Sequence, residues 1–582
     1  MQSSQSKGES IRPPTGEAPS LRRQDDADSK RRVILGVSLP LIPEAYRSMA
    51  AAAFCAIALI PSLLWTVRDR KVWPWDQAWY GEVSVDLWYL FTHAPRRWLE
   101  MMATGLNMKP PGAVWLGQFF VPFRHTFGSV EAALLFSILL TQLAVLVLIY
   151  RISMEVAPDS PGIAYIAMAS AAGAQIFVGL SHQYLVEPLQ CLAIVWTVLI
   201  ALRSTQWPPA RTLIHLASAM LLGILAKAST PVYALVPICF ILFTLSRRRQ
   251  PWAFGAEWRR PASRALVCGF LLAAAAGALW YAVNYRAVLQ HIRDATGEIG
   301  LNYGFRAPLA QKYILWLRFL EQAFLDSYLG WMIGFLVLAT GGAILVARAP
   351  FSHWRRRLLI GSLSVAQIAV VLFGFALNDM VETRYLYALL PYVTLVIVVL
   401  CSAARYRAVQ AVALAICLAQ WVTVNRASFE PAPVLKNQSA WLLPIVANSA
   451  AYQEVSDVIR RTSVFPGHNV VAVEEPWLNS NSMAFFDAKN RLSTGVRSHY
   501  TSLGYAQKDS SAAMHRIEEF QARFVITLDE PFQPAPNFVN LVSLAVLREL
   551  KSDEHFTRVP FPTEKGILIF ERHARASLAT RP

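Results

Sequence analysis

Asp76, Glu82, Lys109, His182, Glu187, Lys227, Asp379, Glu382 and Arg384 stand out in this 582-residue sequence because they sit where long apolar runs begin or end. Ionisable groups beside hydrocarbon are costly, and each is a candidate for function. A carboxylate can take the proton of a hydroxyl while that hydroxyl forms a new bond. Lysine offers a point charge, and arginine two parallel hydrogen bonds, to a departing phosphate. No cluster of His and Cys has the spacing of a zinc site. Oxygen ligands could be assembled from Asp76 and Glu187, but no metal or other cofactor is expected.

The elements that must hold these groups are membrane spans. Hydrophobic residues make up 55% of the chain and charged residues only 16%, against about 25% charged in a typical soluble protein. The excess falls in blocks near 48–66, 130–150, 161–180, 184–202, 212–226, 230–246, 264–284, 327–347, 357–377, 385–402 and 408–424. A span needs about 20 such residues. With the N-terminus in the cytoplasm, the short cytoplasmic connections hold fifteen arginines. They are Arg151; Arg203 and Arg211; Arg247, Arg248, Arg249, Arg259, Arg260 and Arg264; Arg348, Arg355, Arg356 and Arg357; Arg405 and Arg407. The short connections opposite hold only Lys227 and Arg384. That asymmetry fixes the orientation. It also accounts for the net charge of +16 without a nucleic-acid partner. The chemistry-bearing residues all fall toward the external side.

Residues 1–47 read as a disordered cytoplasmic tail, and the apolar block from Met49 as a retained anchor rather than a cleaved signal. Residues 48–428 form the transmembrane domain. Its external loop 67–129 predicts one or two amphipathic helices over Val83–Met102, lying in the interface. The loop 285–326, with Asp294, Glu298, Arg306, Tyr313, Trp316 and Arg318, reads similarly. Residues 429–582 are more polar. Strands are expected at Asn469–Val473, Arg523–Thr527 and Gly566–Glu571, and helices at Tyr452–Arg461, Ser511–Gln521 and Phe538–Lys551. The fold class is an α-helical polytopic membrane protein, of about eleven transmembrane helices, with a C-terminal soluble α/β domain. The six cysteines all lie in or beside apolar blocks and read as small buried hydrophobes.

The external loop opens with Trp73-Pro74-Trp75-Asp76-Gln77-Ala78-Trp79-Tyr80-Gly81-Glu82 and closes with Lys109-Pro110-Pro111-Gly112-Ala113-Val114-Trp115-Leu116. This resembles the type C glycosyltransferases of the protein O-mannosyltransferase and lipid A aminoarabinose-transferase kind. Their first external loop opens on an acidic pair followed by an aromatic and closes on Lys-Pro-Pro ahead of Trp-Leu. Asp76 falls on the first acidic position, and Gln77 departs from the usual Glu at the second. Ser181 to Glu187, Gly223 to Lys227, and Arg384-Tyr385 running to Pro391 resemble further family elements, so the likeness covers roughly residues 48 to 400.

The resemblance implies an inverting transfer of a sugar from a polyprenyl-phosphate-linked donor to an envelope glycan, lipid or protein. Asp76 is then the general base. Tyr80, Glu82, Lys109, His182, Glu187, Lys227 and Arg384 bind substrate, the cations holding the lipid phosphate. It also implies a bacterial inner membrane, with the C-terminal domain periplasmic. Plainer roles exist for the same residues. Asp76 could balance Arg70 or Lys71, Glu187 could cap a helix, and Lys227 and Arg384 could snorkel to head groups. Rival functions are a transporter or flippase of a lipid-linked precursor, and a non-catalytic glycan-binding assembly protein. A transporter usually shows internal repeats and midplane polar groups, and the sequence shows neither.

Overall fold

The computed structural model describes residues 44–248, 259, 261–297, 304–325, 328–347, 352–404, 407–430, 444–503 and 509–573. The expected tail as far as residue 43 lies outside these, as do Arg249, Arg260, Glu298, Arg348 and Arg405. The chain divides at Ala50, and residues 51 onward form one compact unit.

Helices dominate that unit. In chain order they are α1 (Glu44–Arg68), α2 (Trp75–His93), α3 (Pro95–Thr104), α4 (Gly112–Gly117), α5 (Val130–Val156), α6 (Pro161–Ala172), α7 (Gln175–Ser181), α8 (Glu187–Arg203), α9 (Pro209–Ala226), α10 (Leu235–Ser246), α11 (Pro261–Thr296), α12 (Leu309–Leu320), α13 (Tyr328–Ala347), α14 (Ser352–Ala376), α15 (Leu390–Ala404) and α16 (Arg407–Ala427). Every apolar block expected to cross the membrane is largely helical, though the block 161–180 is split between α6 and α7. Among the described residues seven helices are long and apolar enough to span, or up to nine if two bent pairs each count as one. The chain is thus a polytopic membrane protein. The expected total of about eleven includes α8 and α10, which are shorter, at 17 and 12 residues.

Local sequence explains the helix ends. Ser129 caps α5, its hydroxyl accepting from Ala132 N at 3.1 Å. Pro95 cannot continue α2 and instead opens α3. The break between α6 and α7 bends the chain by 63° at Gly173.

Two expectations for the loops need correction. Helix α2 is not an interfacial amphipathic helix with one wet face. It is buried at Gln77, Ala78, Tyr80, Gly81, Val83, Ser84, Val85, Asp86 and Leu87, because a second layer from the C-terminal region covers it. Only α3, which has no buried residue, stays open. The segment from 285 is also no loop at its start, since α11 continues as one helix to Thr296.

The C-terminal region carries a five-stranded sheet of β1 (His468–Val471), β2 (His499–Ser502), β3 (Phe524–Leu528), β4 (Phe556–Val559) and β5 (Ile567–Arg572), in the order β2-β1-β3-β5-β4. β2, β1 and β3 run parallel, and β5 and β4 are antiparallel additions. Four helices accompany them: α17 (Ala450–Thr462), α18 (Ser480–Thr494), α19 (Ser510–Glu519) and α20 (Ser543–Ser552). The strands expected from sequence are β1, β3 and β5, whose buried residues run continuously. The edge strands β2 and β4 were not expected, and each buries only one residue.

The sheet region grips α2 through α18. Trp73 stacks on Phe485 at 5.0 Å, with ring planes 6° apart. Gly81 permits this approach, because a Cβ there would lie 2.7 Å from the Phe485 ring. Arg497 joins Glu82, Asp86 and Asp487, while Arg491 reaches Asp86 at 3.3 Å.

Candidate active site

Asp76 stands in the first turn of α2, where a negative charge suits the helix dipole. One carboxylate oxygen accepts from Lys109 Nζ at 2.6 Å and the other from Arg384 Nη2 at 2.9 Å. It therefore makes neither of the pairs with Arg70 or Lys71 that a simple surface charge would. Asp69, which lies next to them, accepts from the Lys71 backbone N–H at 3.3 Å.

Lys109 comes from the Lys-Pro-Pro-Gly turn ahead of α4. Gly112 lets this turn press on the end of α9, since a Cβ there would lie 2.7 Å from the Leu225 carbonyl oxygen. Lys227, just past α9, is thereby brought to the same place. It donates to Glu187 Oε1 at 2.9 Å and lies 3.3 Å from the centre of the Tyr385 ring. Glu187 begins α8 and is only 2% exposed. Arg384 Nε lies 3.4 Å from Glu187 Oε1 and 3.7 Å from Glu382 Oε1, so this one guanidinium faces three carboxylates.

The residues come from five separated stretches of sequence, and the centre remains open. Asp76 keeps 28% of its side-chain surface exposed and Glu382 35%. Burial alone would raise the Asp76 carboxyl, but Lys109 and Arg384 outweigh it and hold the group well below the usual carboxylate range. Glu382 goes the other way, raised by burial despite Arg384. Burial lowers Lys227 to about 8, although Glu187 opposes that shift.

Other candidates are placed as follows. Tyr80 is buried beside the cluster, with Lys109 Nζ 5.7 Å from its ring. Glu82 joins the Arg497 clasp rather than the cluster, and burial pushes it up to about 7. His182 stands apart, buried against the Trp65 ring at 4.1 Å, with Nε2 3.2 Å from Ser62 Oγ. Asp379 pairs with Lys312. Gln77 is buried, and its amide nitrogen has no hydrogen-bond partner among the described residues. No group of His, Cys, Asp and Glu suited to a metal occurs among the described residues.

One contributor carried no sequence signal. Glu474 accepts from Trp75 Nε1 at 3.1 Å across 399 residues of chain, and nothing local in the polar C-terminal region marks it.

No family of known proteins matches the sequence, and no curated protein sequence matches it. Solved structures do. ArnT from Cupriavidus metallidurans bound to undecaprenyl phosphate superposes with a TM-score of 0.50 at 14% identity, covering 91% of this chain and 99% of that one. The apo state of the same protein gives a TM-score of 0.48 at 12% identity, covering 89% and 97%. The mycobacterial arabinofuranosyltransferase AftD gives 0.46 at 13% identity, covering 90% of this chain and 40% of that one.

Proposed function

We propose that this chain, which shares the fold of the type C glycosyltransferases, is itself a membrane glycosyltransferase that moves a sugar from a polyprenyl-phosphate-linked donor to an acceptor hydroxyl of an envelope glycan, lipid or protein. The observation that carries this reading is the convergence of Lys109, Lys227 and Arg384 on the carboxylates of Asp76 and Glu187 at the ends of apolar helices. The undecaprenyl phosphate held by the structurally similar ArnT supports a donor of that chemistry.

The acceptor hydroxyl attacks the anomeric carbon and its proton passes to Asp76. The bond from that carbon to the phosphate oxygen breaks, and its electron pair stays on the lipid phosphate. Lys109, Lys227 and Arg384 stabilise the charge that develops there. The geometry couples these roles. With both oxygens paired to cations, Asp76 is a poor base. A phosphate that draws Lys109 and Arg384 to itself returns basicity to the carboxylate, so the donor prepares its own general base. The site belongs in this reading to the periplasmic side of a bacterial inner membrane.

Two measurements test the proposal in nanodiscs. Replacing Lys109, Lys227 or Arg384 by Ala weakens undecaprenyl phosphate binding about tenfold or more, as expected for lost hydrogen bonds between charged groups. Asp76→Asn keeps or improves that binding but lowers sugar transfer by about a hundredfold or more, the usual share of a general base. Unchanged lipid-phosphate affinity in all three cation variants would sink the phosphate assignment. Full transfer by Asp76→Asn would remove Asp76 from the chemistry.

A further inference from the structure

The residue just before Asp76 has an unusual backbone. Trp75 has φ of +30°, a left-handed value that is a genuine outlier for a bulky side chain. Such conformations persist only where the surroundings hold them. The anchors here lie in the C-terminal region. Trp75 Nε1 donates to Glu474 Oε2 at 3.1 Å. Two residues earlier, the Trp73 carbonyl accepts from Ser482 Oγ at 2.6 Å. Glu474 is itself fixed on both sides of its backbone by Asn540, whose side chain accepts from Glu474 N at 2.8 Å and donates to Glu474 O at 3.1 Å. It lies three residues past the end of β1, beyond the carboxyl end of the parallel strands, where α/β sheets commonly present functional groups. With only 6% exposure, it cannot swing away to another partner in water.

We infer that Glu474 is a positioning residue, which holds the Trp75 indole and thereby aims the Asp76 carboxylate between Lys109 and Arg384. The C-terminal region then sets the geometry of the reaction centre instead of merely roofing it. This rests on the reading of Asp76 given above. Releasing the indole lets residue 75 relax toward negative φ. That turns the first helical turn of α2 and moves Asp76 off its two cations.

The test uses the full-length protein in nanodiscs, with the variants Glu474→Ala, Glu474→Gln and Asp76→Asn, and the double variant Glu474→Ala with Asp76→Asn. Hydrogen exchange of the peptide spanning residues 75–80 is read first. Glu474→Ala raises its exchange about tenfold, the effect expected for one lost hydrogen bond to a charged group. Glu474→Gln keeps an oxygen for the indole and stays near the parent rate. Undecaprenyl phosphate is the second probe. Glu474→Ala shifts its Kd by about threefold or more, and the shift vanishes in the Asp76→Asn background, because the effect runs through Asp76. Unaltered exchange in Glu474→Ala overturns the inference, as does an equal Kd shift in both backgrounds, which would mark a merely structural role. Absent binding by the parent protein would count against the phosphate site alone, and the exchange result would still decide whether Glu474 positions residue 75.

Discussion

Lys227 shows how a single group at this site responds to its setting. Burial lowers its ammonium to about 8, so the charge is present below that pH and lost above it. Affinity for undecaprenyl phosphate is expected to fall as pH rises through about 8. Lys227→Arg should keep its charge and remove that alkaline limb, which binding measured from pH 6 to 10 will show. Asp76 contributes no limb in that range, because its cations keep it ionised far below neutrality. Asp76, Lys109, Glu187, Lys227 and Arg384 were legible in the sequence because a charge beside an apolar run needs a reason. The same argument also drew in His182, whose reason is a stacked and hydrogen-bonded place against Trp65 and Ser62. Glu474 and Arg497 were invisible because charges are ordinary in a polar region. Their importance comes from partners about four hundred residues away.

Among elements, α2 matters most, since it carries Asp76 at one end and is clasped by α18 and the loop after it along its length. Arg497 is the centre of that clasp, 13% exposed and shared by Glu82, Asp86 and Asp487. Removing a buried partner of this kind costs about 3–5 kcal/mol, because the remaining charges lose their compensation. Arg497→Ala should therefore lower the thermal unfolding midpoint in detergent by about 5 °C or more, while Arg460→Ala, on an exposed pair, leaves it unchanged. The sequence of α2 suggested a helix with one wet face because its covering layer is supplied from residues 480–497, too far along the chain for periodicity to report. The edge strands β2 and β4 escaped notice for a related reason. Each is four residues long and buries only one of them, and it is a strand only because a neighbour offers hydrogen bonds.

For the whole molecule, the two ends of the helical layer are chemically distinct. One end gathers Asp76, Lys109, Glu187, Lys227 and Arg384. At the other, Arg203 and Arg211 lie against the Trp207 ring, and Arg248 donates to the Trp207 carbonyl at 2.6 Å. In a cysteine-free background, a maleimide that cannot cross membranes should label Asn107→Cys and Ser552→Cys from one face and Arg247→Cys only from the other. Labelling of all three from one face would overturn the orientation that the arginine distribution implies. Helix α8 joins the two ends directly, with Glu187 as its first residue and Arg203 as its last, 17 residues in all. At about 1.5 Å of rise per residue that is about 25 Å, less than the roughly 30 Å thickness of a typical hydrocarbon slab. Taken as a membrane span, a rod this short is accommodated by thinning of the bilayer around it. Under the proposed function, such local thinning brings the head group of a prenyl-linked donor toward the carboxylates and cations at the start of α8.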